Sequence, residues 1–231
     1  RLERADGRAE LPAVLRVLDA DGLGVTTEAH EPAGGEGAPL VDGEGMGGEG
    51  LYTTMVGHVT NASHNEWADG GVAHQLEKYP NMKLLEAEPR VESQDDGEVA
   101  YQTAKELIKK YPELKGIMGT SSFDAPGVAR AIEELGLQGK FFTAGTGMPE
   151  ANKQILEKGL VHALTLWDPA EAGYAMAELA RRILDKEPIE APLDLKAEGY
   201  AEVKFAEGSD KILEGAGWIV ITKDNVDSFG F

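Results

Sequence analysis

The chain contains no cysteine. That rules out a disulfide framework, a thiolate zinc site and a cysteine nucleophile. No run approaches the roughly 18 apolar residues that suggest a membrane span. Basic residues are scarce: 22 Lys and Arg face 41 Asp and Glu, a formal charge of −19. Such a surface repels phosphate backbones and anionic headgroups, which argues against nucleic-acid binding. Catalytic signatures are missing too. No Gly-Lys-Ser/Thr follows the glycine-rich stretch, so it is not a P-loop. There is no His-Glu-x-x-His and no Gly-x-Ser-x-Gly elbow, and Gly145-Thr146-Gly147 lacks the third glycine and acidic partner of a dinucleotide fingerprint. His58, His64 and His74 do not fall at metal-ligand spacing, so neither a metal nor a catalytic residue is expected.

What is present is a length of 231 residues with 42% hydrophobic residues, enough for one large or two small cores. The first fifty residues hold 11 of the 29 glycines and no lysine. They read as a short amphipathic helix over 10–22, a strand over 23–30 and a Gly/Glu/Pro-rich segment over 31–50. Beyond Leu51 the pattern is regular. Strands are predicted at 52–59, 82–89, 116–121, 140–145 and 161–167; helices follow at 63–79, 97–111, 126–135, 149–158 and 169–184. Five alternations of strand and helix define an α/β chain with a parallel sheet between helices. Short strands near 200–205 and 217–222, then a turn over 224–229, close the chain.

Four strand-to-helix turns share one design. In the first, Ser63 and Glu66 match the Ser-x-x-Glu capping box, leaving His64, Asn65 and Trp67 in the first helical turn. The second, Ser121 to Pro126, offers Asp124 as an N-cap and Phe123 as either core or a stacking face. The third is Gly145 to Pro149 and includes Thr146. In the fourth, VHALTLWDPAEAG, Asp168 reads as N-cap, Pro169 as the first helical residue and Glu171 as the capping-box partner. Each turn brings polar side chains and free backbone N–H groups to one sheet edge, with Trp67, Phe123 and Trp167 beside them. Hydroxyl-bonding groups next to aromatic faces suit a sugar or another polyol. Packing and capping account for any single turn equally well. The pair Asp95-Asp96 reads as solvated helix-end charge.

The motifs GGEGLYTTMVGHVTNASHNEWADG, EKYPNMKLL, AKELIKKYPELKGIMGTSSFDAPGVARAIEELGLQGK, LTLWDPAEAGYAMAELA and ITKDNVDSFGF carry a resemblance. From Gly47 to Phe231 the chain resembles the type I periplasmic sugar-binding proteins of ABC importers, in the branch with rhamnose- and autoinducer-2-binding members. The resemblance implies two α/β lobes with parallel sheets flanked by helices. It implies a solute held between the lobes, closure on binding, delivery to a membrane permease, a periplasmic location, a monomer and no cofactor. Its expected divisions are 1–35 as a remnant of the first lobe, 36–166 as the second, and 167–231 as a crossover and closing tail. Carried over by position, ligand contacts fall at Ser63, His64 and Asn65, at Asp124 and Pro126, and at Thr146. Trp167 and Asp168 fall at the second crossover, and His30 and Glu31 near the first. Trp67 joins them from its place in the turn.

The sequence departs from the branch in carrying Ser63-His64 where autoinducer-binding members have an Asp-Gln pair. Relative to the family the 31–46 stretch is shortened and glycine-substituted, so the first lobe is expected to be incomplete, with an unpaired sheet edge and its export signal not in this chain. Three other readings stay open, the first being a truncated, non-functional fragment. An effector-sensing domain of a transcription regulator needs a basic helix-turn-helix upstream. An α/β enzyme needs a catalytic constellation.

Overall fold

A computed structural model describes residues 45–206, 209 and 211–231. The predicted helix over 10–22, the strand over 23–30, most of the Gly-rich segment, His30, Glu31 and the expectation of an incomplete first lobe lie outside the described residues. Chain contacts divide the described residues into two compact units. The larger runs up to Leu166 and takes in Ile219–Phe231; the smaller is Trp167–Trp218. The tail from Ile219 belongs with the larger unit.

The larger unit is built on strand β1 (Glu49–Val56), helix α1 (Ala62–Lys78), β2 (Asn81–Leu84), β3 (Arg90–Glu92), α2 (Gly97–Lys110), β4 (Leu114–Gly119), α3 (Asp124–Leu135), β5 (Phe142–Thr146), α4 (Pro149–Glu157) and β6 (Ala163–Trp167). Its sheet runs β2-β1-β4-β5-β6, with β9 (Trp218–Ile221) beyond β6 and β3 also on β1. The pairings of β1 with β2, β3 and β4, of β4 with β5 and of β5 with β6 are all parallel. This is the mostly parallel, helix-flanked α/β architecture of the type I periplasmic-binding-protein fold. From β1 the chain winds first to β2 and β3 on one side, then to β4 on the other. The carboxyl ends of β1 and β4 thus mark the topological switch point, where open α/β sheets leave a crevice.

Burial explains these elements. The last five residues of β1 are all buried, as a central strand covered on both faces requires. Helix α1 turns Trp67, Ala68, Gly71 and Gln75 inward at helical spacing. The predicted strand over 82–89 is cut short: β2 ends at Leu84, and pairing with the same edge of β1 resumes only past the predicted run, in β3. The connecting residues bond irregularly: Thr53 Oγ1 donates to the Glu88 carbonyl at 2.5 Å and Thr54 Oγ1 to that of Pro89 at 2.8 Å. Thr54 N also donates to the Pro89 carbonyl at 3.2 Å, so backbone and hydroxyl donors of β1 together satisfy the carbonyls of this connection.

Gln75 is 1% exposed and fully used. It accepts from Tyr52 Oη at 2.8 Å and donates to the carbonyls of Tyr79 and Met82 at 2.8 and 3.1 Å. Burial pushes the Tyr52 phenol up to about 12. Gln75→Leu removes the acceptor of the buried Tyr52 phenol and a donor to the Met82 carbonyl, and is expected to cost about 2 kcal/mol in urea unfolding. Tyr52→Phe in the same background should recover part of that loss. A single-variant loss below about 0.5 kcal/mol would show that the network is not needed.

In the smaller unit, α5 (Pro169–Leu184) packs Ala172 and Ala175 on Leu193, Leu195, Ala197, Tyr200 and Val203. A two-stranded antiparallel ribbon, β7 (Lys204–Phe205) with β8 (Leu213–Glu214), lies in the same unit. Among the described residues no helix is long and apolar enough to cross a membrane.

Candidate functional site

The β1–α1 loop is Gly57-His58-Val59-Thr60-Asn61. Its capping differs from the expected box. The N-cap is Asn61, whose side chain accepts from His64 N at 3.1 Å, and Ser63 sits inside the helix, half-buried. Asn and Ser are equally good caps. Tertiary contacts decide between them, because Gly57 N donates to His64 Nδ1 at 3.2 Å and pulls the helix start back by two residues. Asn65 is fully engaged within the fold. It donates to the carbonyls of Asn61 and Val59 at 2.7 and 3.2 Å, and its Oδ1 accepts from Arg90 at 2.8 Å. Trp67 does not sit open at the tip: it is 7% exposed, with its ring 5.7 Å from that of His64.

The β3–α2 loop brings in residues the sequence did not select. Gln94 and Asp95 are both left-handed, with φ of 57° and 52°. Non-glycine residues pay for that conformation, on the order of 1 kcal/mol or more each. Backbone bonds from Ser93 N to Val56 O and from Gln94 N to Gly57 O, both 2.8 Å, hold them there. Of the two aspartates only Asp96 caps α2, accepting from Glu98 N and Val99 N at 2.8 and 3.0 Å. Asp95 is turned instead across the end of β1. Its Oδ1 accepts from Ser121 Oγ at 2.6 Å, and its Oδ2 stands 3.9 Å from His58 Nε2. Gly57 leaves room for it, since a Cβ there would lie 2.1 Å from Asp95 Oδ1. A doublet Asp-Asp before a helix carries this signal faintly, for one cap needs only one carboxylate.

The β4–α3 loop contributes Thr120 to Phe123. Asp124 is not the N-cap. Phe123 occupies that place without a side-chain bond, and Asp124 begins the helix with its carboxylate folded back. Oδ2 accepts from Thr120 N and Ser121 N at 3.0 and 2.8 Å, while Oδ1 has no hydrogen bond of ordinary geometry. The residue is wholly buried. Burial pushes its carboxyl up to about 6 from 3.8, and Asp95 adds to the rise; the Ser93 hydroxyl and the Ser121 and Thr120 amides pull the other way. Pro126 is half-buried in the first turn of α3, and Phe123 is 48% exposed at the tip. Thr146 ends β5 with a buried Oγ1 that has no partner.

His64 is held below its ordinary value by burial, which outweighs the opposing pull of Asp95 and is reinforced by His58. At neutral pH the edge therefore carries a neutral imidazole, beside the partly exposed Asp95 side chain, serine and threonine hydroxyls and an open phenyl face.

Trp167 and Asp168 lie in the smaller unit. Asp168 caps α5 as expected, accepting from Ala170 N and Glu171 N at 2.7 and 3.3 Å. Glu171 does not close a capping box; its Oε2 accepts from Glu198 N at 2.8 Å. Trp167 is half-buried, 6.2 Å from Trp218, a residue the sequence did not single out. Beside them Tyr200 is buried with its phenol raised by burial, then by Asp168 and Glu171.

The groups of the β1–α1, β3–α2 and β4–α3 loops stand at the carboxyl edge of a parallel α/β sheet, at its topological switch point. The chain belongs to the family described as "Periplasmic binding protein domain", whose sequence profile matches residues 33–188. It is 30% identical over 151 residues to the D-allose-binding periplasmic protein of Escherichia coli (strain K12), an alignment covering 64% of this chain and 46% of that protein. This chain thus spans about half the length of its curated relative. Among solved structures it is similar to a sugar ABC transporter from Actinomyces odontolyticus ATCC 17982, at 24% identity and a TM-score of 0.67, over 82% of this chain and 60% of the other. It is also similar to LsrB from Clostridium saccharobutylicum in complex with AI-2, at 20% identity and a TM-score of 0.65, over 84% and 61%. A third match is a periplasmic solute-binding protein from Actinobacillus succinogenes 130z with bound D-allose, at 18% identity and a TM-score of 0.64, over 83% and 59%. These relatives are binding and transport proteins, not enzymes.

Proposed function

We propose that this chain binds a sugar or sugar-like polyol and delivers it to an ABC importer by closure of two α/β lobes in the periplasm, acting as a monomer. The observation that carries the reading is the gathering of His64, Asp95, Ser121 and the exposed face of Phe123 at the carboxyl ends of β1 and β4. Hydroxyl-bonding groups beside an aromatic face match the two chemistries of a pyranose or furanose, its hydroxyls and its C–H face. Family membership and the sugar-named relatives support the same class, with D-allose, rhamnose and AI-2 as the first ligands to try. Ser63, Pro126, Thr146, Trp167 and Asp168 complete the proposed contact set. His30 and Glu31 belong to it from the sequence alone. Asn65 and Trp67 act in it by positioning the loop and ring around His64.

Thermal unfolding against a sugar panel tests this. A ligand at ~100 times its Kd adds about 2.7 kcal/mol, a midpoint rise of roughly 5–10 °C for a chain of this size. A cooperative melt that no pentose, hexose, deoxysugar or AI-2 moves would overturn the reading.

A further inference from the structure

His64 and Asp95 flank Gly57 with opposite hydrogen-bonding polarity. A neutral imidazole has a single proton. With Nδ1 accepting the Gly57 N–H at 3.2 Å, that proton resides on Nε2, which becomes a donor. Asp95 can only accept. Ser121 Oγ uses Oδ1 at 2.6 Å, and the His58 ring is 3.9 Å from Oδ2, beyond hydrogen-bond length. The Asp95 side chain keeps 38% of its surface open. Two left-handed residues and the missing Cβ of Gly57 fix it there. Beneath this edge lies the wholly buried Asp124 carboxyl, with Oδ1 unpartnered and its charge felt alongside that of Asp95. Of the neighbouring acidic groups, Asp96 is taken up as the cap of α2, and Glu92, the last residue of β3, accepts from Val59 N at 2.6 Å.

A donor and an acceptor on either side of one glycine match a group that both accepts and donates. A carboxylate or phosphate would meet repulsion from Asp95, and a simple cation would leave His64 Nε2–H unused. A neutral diol satisfies both. Resting on the sugar reading above, we infer that Asp95 and neutral His64 form a diol-reading pair, with Asp95 a specificity-determining residue that selects hydroxylated over deoxygenated ligands.

The test is calorimetric titration of the full chain with the tightest-binding sugar and its monodeoxy analogues, for wild type, Asp95→Asn and Asp95→Gly. Asparagine tolerates the left-handed backbone and still accepts from Ser121 Oγ, so only the outward oxygen is replaced by a donor. Glycine keeps the backbone conformation and removes the group. Both variants are expected to weaken the parent sugar at least about tenfold, as loss of a hydrogen bond to a charged group does. For one monodeoxy analogue the penalty should shrink to about twofold or less. Protonating His64 in acid converts Nδ1 to a donor and breaks its bond from Gly57, so wild-type affinity should also fall in acid, below the ordinary imidazole range. If the wild type binds a sugar and both variants bind it equally well, the pair is refuted while the sugar reading stands. If the wild type binds no sugar, both fall together.

Discussion

Asp124→Asn is expected to remove a pH dependence of stability centred between pH 4 and pH 6. The carboxyl is wholly buried, and its value rises from 3.8 to about 6, chiefly by desolvation. The sign follows from linkage. A carboxyl with a raised value in the folded state favours folding while it is protonated. That contribution is fully present below 3.8 and is lost as pH rises through about 6. The rise is worth about 3 kcal/mol. Asparagine keeps an oxygen for the Thr120 and Ser121 amides and carries no charge to desolvate. Urea unfolding of both proteins from pH 4 to pH 7 should show the wild type losing about 3 kcal/mol relative to the variant. Taking the difference cancels the titration of surface groups such as Glu178, which Arg181 and Arg182 hold down at about 2. A difference constant across the range would mean that the carboxylate is solvated in the folded state. The same carboxylate ties the β4 tip together, so the variant also asks whether sugar binding needs the charge or only the shape of the loop.

Much of this fold was legible because its cues are local. Asp168-Pro169 states a helix start in two residues, and α5 begins and ends where its pattern says. Alternating apolar strands and 3.6-period helices gave the parallel α/β class without any long-range information. Cues failed where a distant residue made the choice. Ser63-x-x-Glu66 fits the capping box as well as any sequence can, yet Asn61 caps because His64 is bonded to the end of β1. The 82–89 run looks like one strand, yet β2 stops at Leu84, and the residues after it are held by the hydroxyls of Thr53 and Thr54 until β3 begins at Arg90. Asp95 was hidden for a different reason. Nothing in Gln-Asp-Asp announces a left-handed pair, because non-glycine residues enter that region only when surrounding contacts hold them there. The aromatic tips were legible as positions but not as exposures: Phe123 is open, while Trp67 is packed.

Gly127→Leu should be among the most damaging single changes in the larger unit, and its effect should reach the site. Helices α2 and α3 meet at Gly127 with no space to spare. A Cβ there would stand 2.5 Å from Ala100 Cβ, 2.9 Å from Tyr101 N and 3.0 Å from Gly97 O. Two of those three atoms are backbone, so no side-chain rotation relieves the clash and the helices must separate. Overpacking of this kind costs about 1–3 kcal/mol, and a whole leucine side chain falls at the upper end. Gly97 is the first residue of α2, next to Asp95-Asp96, while Asp124 is the first residue of α3 and Ser121 lies in the loop that leads into it. Pushing the two helix starts apart stretches the 2.6 Å bond between Asp95 and Ser121 that fixes the acceptor of the diol pair. Gly127→Ala, the smaller change, should therefore lower the unfolding midpoint and weaken sugar affinity together. Its affinity loss should not add to that of Asp95→Gly, because both remove the same positioned oxygen. Fully additive losses in the double variant would show that the helix contact and Asp95 act independently.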